Sequence, residues 1–156
     1  MSCPVKTLIS GDKIPAFGLG TWKSKPGEVR SAVKHAINIG YRHIDGAACY
    51  FNETEVGEGI KDALKQNSSL KRKDLFIVSK LWVTDMDPKH VESACRQTLS
   101  DLGLEYLDLY LIHWPIAWKH RDEKRSPLIF SKNQDGSTPL DNAQHPTKLG
   151  WRWRNL

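Results

Sequence analysis

Four short apolar runs alternate with three segments of helical periodicity, and this alternation constrains the fold more than any other feature of the chain. The runs cover residues 16–19, 43–47, 75–81 and 107–112. The last two are continuous rather than alternating, which is typical of strands buried on both faces of a parallel sheet. The order β-α-β-α-β-α-β therefore predicts an α/β fold with four parallel strands and three helices.

The three helical segments carry apolar side chains at intervals of three and four residues, within residues 29–37, 56–64 and 91–102. Residue types that start and stop helices mark their ends. We expect Pro26 and Pro88 at first helical positions, and Asp87 and Asn52 as N-cap residues, with Glu55 completing a capping box after Asn52. Gly40 and Gly103 are expected just after the C-terminal ends of the first and third helices. Upstream, residues 5–15 predict a small hairpin around Ser10-Gly11-Asp12, whereas residues 114–156 lose periodicity and predict a loop.

Composition narrows the class of protein. The chain has 156 residues, 39% of them hydrophobic, and contains no apolar run of the roughly 18 residues that a spanning helix needs. Its N-terminus lacks the apolar segment of a secretory signal. The three cysteines show neither zinc-site nor disulfide-framework spacing. We therefore expect a cytoplasmic (cytosolic) protein with no membrane segment.

The net charge of +5 raises the question of a nucleic-acid partner. Lysines and arginines are spread along the chain and mixed with 18 acids, and even the densest basic stretch, residues 119–125, contains two acids. A nucleic-acid footprint requires a basic patch on one face. We expect no nucleic-acid partner and interpret this stretch as a solvated loop.

Polar side chains stand at the carboxyl ends of three predicted strands. Asp45, Lys80 and His113 occupy these positions, and Tyr50 follows in the loop after Asp45. In parallel α/β folds this edge of the sheet is where ligands bind. Taken singly, each residue has a structural alternative: a turn or cap, a solvated strand end, a core imidazole or a packing residue. Four such groups at one edge favour a binding or catalytic site.

Two other patterns carry no functional prediction. Gly57-Glu58-Gly59 begins like a dinucleotide fingerprint, but it lacks the third glycine and lies within a helical segment rather than after a strand. The six histidines show none of the spacings typical of a metal site, so we expect no metal.

Four segments carry more specific motifs. They read Gly18-Leu19-Gly20-Thr21-Trp22, Gly40-Tyr41-Arg42-His43-Ile44-Asp45-Gly46-Ala47 (followed by Glu53 and Val56-Gly57), Ser79-Lys80-Leu81-Trp82, and Leu107-Asp108-Leu109-Tyr110-Leu111-Ile112-His113-Trp114-Pro115. Together they resemble the aldo-keto reductase family. The resemblance runs from about residue 5 to about residue 118 and is closest to the aldehyde-reductase branch.

The resemblance implies a (β/α)8 TIM barrel that reduces small aldehydes and ketones to alcohols with NADPH (NADP as the oxidised cofactor). The catalytic residues of the family fall on Asp45, Tyr50, Lys80 and His113. Tyr50 is expected to donate the proton, and Lys80 to lower the tyrosine pKa from its usual value of about 10. Asp45 is expected to hold Lys80 charged, and His113 to orient the carbonyl.

The resemblance also implies the ligand-binding residues. Thr21, Trp22 and Asp45 match positions that line the nicotinamide ribose. The expected substrate pocket consists of Trp22, Tyr50, Trp82, His113 and Trp114. Packing in the core remains the alternative for the three tryptophans.

The matched part is only half of such a barrel, which usually takes about 250 residues. Residues 1–144 are interpreted as the truncated N-terminal half, with four parallel strands, three helices and an N-terminal β-hairpin. Residues 145–156 diverge, and a shifted reading frame there permits the helix that the family carries next, so this tail is interpreted as out of frame. The outer strands would be open edges, which predicts self-association. A catalytically silent half-barrel fragment that acts by associating with another chain is the alternative function.

Overall fold

Two sheets and three α-helices form the part of the chain that the computed structural model describes, residues 3–120, 132–141 and 143. The strands are β1 (Val5–Thr7), β2 (Lys13–Pro15), β3 (Leu19–Gly20), β4 (His43–Asp45), β5 (Phe76–Leu81) and β6 (Leu109–Ile112). The helices are α1 (Val29–Asn38), α2 (Glu53–Gln66) and α3 (Pro88–Leu102), with 3-10 turns at Ala48–Tyr50, Arg72–Asp74 and Val83–Asp85.

Strands β3 to β6 form one parallel sheet in the order β3-β4-β5-β6, and β1 pairs antiparallel with β2. Helices connect the parallel strands, which confirms the alternation that the sequence predicts. Because sequential strands lie side by side with a helix in each crossover, the strand order is the one expected of half of a (β/α)8 barrel, and an N-terminal hairpin precedes it.

An aliphatic core joins the sheet to α1 and α2. Ile44 and Ile77 from the sheet belong to one buried cluster with Val33, Val56 and Ile60, and each of these side chains is at most 1% exposed. Burial of one such side chain contributes about 1.5–3 kcal/mol. This cluster holds α1 and α2 against the sheet, and so holds the strand ends in register.

Two glycines allow α2 to lie close to both neighbouring helices. A Cβ atom at Gly57 would be 2.0 Å from the carbonyl oxygen of Leu102 at the end of α3, and one at Gly59 would be 2.6 Å from the carbonyl oxygen of Arg30 in α1. These glycines are therefore packing residues of a helix. The interpretation of Gly57-Glu58-Gly59 as part of a helix rather than a dinucleotide loop is confirmed.

The expected caps of α3 are present. Asp87 accepts a hydrogen bond from the backbone N–H of Lys89, Pro88 occupies the first turn, and Gly103 ends the helix with φ +63°. Gly40, after α1, also has a positive φ of +114°. A residue with a side chain would be strained at either glycine.

Three local predictions are wrong. Pro26 lies in a turn, since α1 begins at Val29. Asn52 forms no capping hydrogen bond with α2; its Nδ2 donates 2.8 Å to the carbonyl oxygen of Thr21, which directly follows β3. The first parallel strand is Leu19–Gly20 rather than residues 16–19, since the amide of Ala16 donates to the carbonyl oxygen of Pro4 beside the hairpin.

The chain after β6 has little regular structure where it is described. Trp118 forms an isolated antiparallel bridge with Leu140, and its amide donates 2.8 Å to the carbonyl oxygen of Val83. The predicted divergent tail, residues 145–156, and most of the basic stretch at 119–125 lie outside the described residues. None of the helices within the described ranges has the length and apolar character needed to cross a membrane.

Candidate active site

The four residues that the sequence predicts at the strand ends converge at one edge of the parallel sheet. Asp45 is the last residue of β4, Lys80 lies near the end of β5, and His113 directly follows β6. Tyr50 ends the 3-10 turn that follows β4. Since the four strands are parallel and adjacent, their carboxyl ends bring these side chains together. We call Asp45, Tyr50, Lys80 and His113 the tetrad.

Lys80 is the centre of the tetrad. Its Nζ donates to Asp45 Oδ1 at 2.7 Å and to the carbonyl oxygen of Gly46 at 2.8 Å. A longer contact of 3.5 Å joins Nζ to the hydroxyl of Tyr50. The Lys80 side chain is 12% exposed and the Asp45 side chain 38% exposed. The ammonium is thus held by two oxygens and aimed at the phenol.

The pKa of Tyr50 is raised, chiefly because the ring is partly buried, while the charge of Lys80 and its hydrogen bond act in the opposite direction. Lys80 therefore acts on the tyrosine pKa in the expected direction, but the net pKa of Tyr50 is raised and not lowered. Burial disfavours the phenolate more than one ammonium at 3.5 Å stabilises it. In the site without ligand, Tyr50 is therefore a protonated phenol over a broad pH range.

His113 lies against Tyr50, with the two rings edge to face and 5.5 Å between their centroids. Its Nδ1 is 3.4 Å from the sulfur of Cys49. Burial, followed by the nearby charge of Lys80, lowers the pKa of His113. The imidazole is therefore neutral near pH 7, able to donate one hydrogen bond and accept another.

An apolar cavity of about 540 Å³ is lined by two members of the tetrad, Tyr50 and His113. The residues that line it include the predicted Trp22, Tyr50, Trp82, His113 and Trp114, together with Cys49, Val83, Ile116 and Trp118. Trp22 and Trp114 are exposed, whereas Trp82 is only 7% exposed and also packs in a buried cluster. For Trp82 the packing and pocket interpretations therefore both apply.

Thr21 supports the site from behind. It is completely buried, and both its amide and its hydroxyl donate 3.1 Å to the carbonyl oxygen of Asp45. Of the three residues expected to line a ribose, the side chains of Asp45 and Trp22 are the ones that reach the surface.

A buried carboxylate that sequence reasoning missed joins three elements behind the tetrad. Glu53, in the first turn of α2, is 4% exposed and accepts from the hydroxyls of Ser79 at 2.6 Å and Thr98 at 3.3 Å. Ser79 directly precedes Lys80 on β5, and Glu53 follows Tyr50 by three residues. The network therefore ties the tyrosine segment to the lysine strand. Its only sequence signal was that Glu53 belongs to one of the family motifs.

Potential metal ligands do not cluster in the described part of the chain. Among residues 3–120, 132–141 and 143, no group of three or more His, Cys, Asp or Glu side chains is arranged to hold a metal ion.

Comparison with known proteins assigns the family. The model of the aldo/keto reductase family matches residues 16–135, more than half of the chain. The chain belongs to the aldo/keto reductase family. It is 50% identical over 143 residues to aldo-keto reductase family 1 member A1 from Gallus gallus, and 54% identical over 136 residues to the protein of that name from Xenopus tropicalis. The human protein of the same name is 48% identical over 152 residues.

These relatives are longer than the chain. The matches cover 92%, 87% and 97% of this chain but 42%, 40% and 45% of the three relatives, so the chain spans less than half of their length. The aldose reductase of Schistosoma japonicum superposes with a TM-score of 0.81 at 50% identity, covering 89% of this chain and 44% of that structure. The fold is therefore the N-terminal half of the aldo/keto reductase barrel.

Proposed function

We propose that this chain carries the proton-donating machinery of an NADPH-dependent reductase of small aldehydes and ketones, with Tyr50 as the proton donor. The observation that carries the proposal is the Lys80 ammonium, which is bonded to Asp45 at 2.7 Å and directed at the hydroxyl of Tyr50, a residue that lines an apolar cavity. Carbonyl reduction requires a proton at oxygen and a hydride at carbon. A nicotinamide, when bound, supplies the hydride.

The raised pKa of Tyr50 keeps the phenol protonated but makes it a weaker acid, so proton transfer relies on the nearby charge of Lys80. Burial keeps the phenol protonated in the resting site, so the proton is available when negative charge develops on the carbonyl oxygen. As Tyr50 gives up this proton, the nearby ammonium of Lys80 stabilises the phenolate. Asp45 holds that ammonium in place and compensates its charge in a site where Lys80 is largely buried.

His113 has the properties of an orienting donor rather than of the acid. Its lowered pKa makes it neutral near pH 7, and its ring lines the same cavity as Tyr50. A carbonyl oxygen placed between the phenol and the imidazole would accept from both. The walls formed by Trp22, Trp82 and Trp114 would exclude water and favour apolar or aromatic carbonyl compounds.

The site fits the ribose and ring end of a nicotinamide nucleotide. Asp45 presents a partly exposed carboxylate, and Trp22 presents an exposed indole that lines the cavity. NADPH rather than NADH, and a cytosolic location, are proposed from the family. The tetrad supplies the proton donor, and the cavity walls supply the pocket for the carbonyl compound.

The proposal is tested by mixing the purified chain with a small aromatic aldehyde and either NADPH or NADH, and following the loss of reduced-nicotinamide absorbance. We expect oxidation of NADPH that depends on the aldehyde and is slower with NADH. Equal rates with the two nucleotides would contradict the cofactor preference. Product alcohol absent by chromatography would contradict the reaction itself.

A second candidate function, association as a catalytically silent half-barrel, is favoured by the edges of the sheet. Strand β6 has a single partner, β5, in the described sheet, and Leu111 within it is 39% exposed. Unpaired strand edges of this kind readily pair with other chains. Light scattering after size-exclusion chromatography tests this candidate. A monodisperse monomer with full turnover would exclude it.

A further inference from the structure

The contact between Cys49 and His113 is a feature of the cavity that the proposed reduction does not use. Cys49 is 7% exposed, lies directly before Tyr50 in the 3-10 turn, and places its sulfur 3.4 Å from Nδ1 of the imidazole. Both residues line the cavity. The side chain next to the proton donor in sequence therefore touches the orienting histidine in space.

Neutral imidazole carries one proton, on either Nδ1 or Nε2, and the hydrogen bond at one nitrogen decides the state of the other. A thiol that donates to Nδ1 leaves the proton on Nε2. The opposite arrangement, Nδ1–H donating to sulfur, is no stronger as a hydrogen bond, since sulfur is as weak an acceptor as the thiol is a donor. It also leaves Nε2 without a hydrogen, so its lone pair would repel the lone pairs of a carbonyl oxygen in the cavity.

We propose that Cys49 is a positioning residue, whose thiol donates to Nδ1 of His113 and fixes the tautomer that presents Nε2–H to a carbonyl oxygen. The inference rests on the proposed function for its use, but the tautomer itself is a property of the chain without ligand. When His113 is in this tautomer, the substrate oxygen meets two donors, the Tyr50 hydroxyl and the His113 Nε2–H. Without the Cys49 hydrogen bond, a fraction of the molecules carries the other tautomer and presents Nε2 as an acceptor.

The packing around His113 fixes the ring plane but not the proton. Trp82 lies edge to face with the imidazole at 5.3 Å and Trp114 stacks on it at 6.3 Å, and both contacts are between rings. Ring contacts of this kind orient the imidazole and are nearly indifferent to which nitrogen carries hydrogen. Among the contacts of the imidazole in the described part of the chain, the hydrogen bond with Cys49 is the one that distinguishes the two tautomers.

The test is a long-range proton–nitrogen NMR spectrum of the full chain, labelled with nitrogen-15 histidine, at about pH 8, where an ordinary imidazole is neutral. The chain contains its own reference. His43 Nδ1 lies 3.0 Å from the carbonyl oxygen of Pro15, which can only accept, so His43 must carry its proton on Nδ1. We expect His113 to show the opposite pattern, with an unprotonated Nδ1 and a protonated Nε2.

Two variants test the cause. Cys49→Val keeps an apolar side chain of similar size but removes the donor, and we expect the ratio of Nε2–H to Nδ1–H tautomer at His113 to fall roughly 3- to 10-fold. Cys49→Ser keeps a donor and is expected to retain the wild-type ratio. The His43 signals, remote from the substitution, are expected to stay unchanged in both variants.

An Nδ1–H tautomer at His113 in the wild-type chain, or an unchanged ratio in Cys49→Val, would overturn the inference. The wild-type spectrum requires no variant, so its result stands even if one variant fails to fold. It also requires no turnover. An inactive chain with the expected tautomer would therefore count against the proposed function alone, whereas an active chain with the other tautomer would count against Cys49 alone.

Discussion

Substitution of Gly57 by alanine provides a severe test of the helix packing that places the tetrad. The added Cβ would lie 2.0 Å from the carbonyl oxygen of Leu102, where ordinary contacts begin near 3.4 Å. The opposing group is backbone and cannot rotate away, so α2 and α3 must separate by more than about 1 Å. Overpacking of this kind costs about 3 kcal/mol, and the better helix propensity of alanine returns about 1 kcal/mol.

We therefore expect Gly57→Ala to lose about 2 kcal/mol of unfolding free energy, equivalent to a fall in Tm of roughly 4–8 °C for a chain of this size. Circular dichroism melts of the two proteins measure it. Gly20→Ala is the matched control, because nothing lies within 4 Å of its added Cβ, and its Tm is expected to match the wild type within about 2 °C. A Gly57→Ala protein as stable as the wild type would refute the close approach of α2 and α3.

Further predictions concern the tetrad and one helix cap. Lys80→Met removes the cation that Asp45 and Tyr50 share, and we expect kcat for aldehyde reduction to fall about 10²- to 10⁴-fold in steady-state assays, with little change in a matched Lys61→Met control. Because burial and then Lys80 lower the pKa of His113, the folded chain binds fewer protons than the unfolded chain, so its Tm is expected to fall as pH drops below about 6.5. His113→Phe should flatten this dependence between about pH 8 and about pH 5. Asp87→Ala removes the cap of α3, and urea denaturation is expected to show a loss of about 1 kcal/mol.

The order of the predicted elements and the apolar periodicity were enough to predict that the tetrad lies at the carboxyl edge of the parallel sheet. Asp45, Lys80 and His113 could be placed together from the sequence, because each ends an apolar run and parallel strands share that edge. Features set by contacts distant in sequence could not be predicted. Asn52 has the residue type and spacing of a helix cap, but its Nδ2 donates to the buried carbonyl of Thr21 and its side chain does not cap α2. Nothing in the local pattern reveals that contact.

The composition of the cavity shows the same limit. Trp118 and Ile116 line it because the chain after β6 folds back, with the Trp118 amide bonded to the carbonyl oxygen of Val83. That region has no periodicity from which its path could be predicted. The net direction of the Tyr50 pKa was also beyond the sequence, since it depends on how strongly burial of the ring opposes the charge of Lys80.

The central claim is that Tyr50 supplies the proton, and the most direct measurement compares NADPH oxidation by the wild-type chain with that by Tyr50→Phe and Tyr41→Phe. Tyr41 contacts Phe17 away from the tetrad, so its loss of a hydroxyl controls for the substitution itself. We expect aldehyde-dependent oxidation by the wild type and Tyr41→Phe, and a rate at least about 100-fold lower for Tyr50→Phe. Undiminished turnover by folded Tyr50→Phe would contradict the claim, and a folded wild-type chain without turnover would favour the silent half-barrel instead.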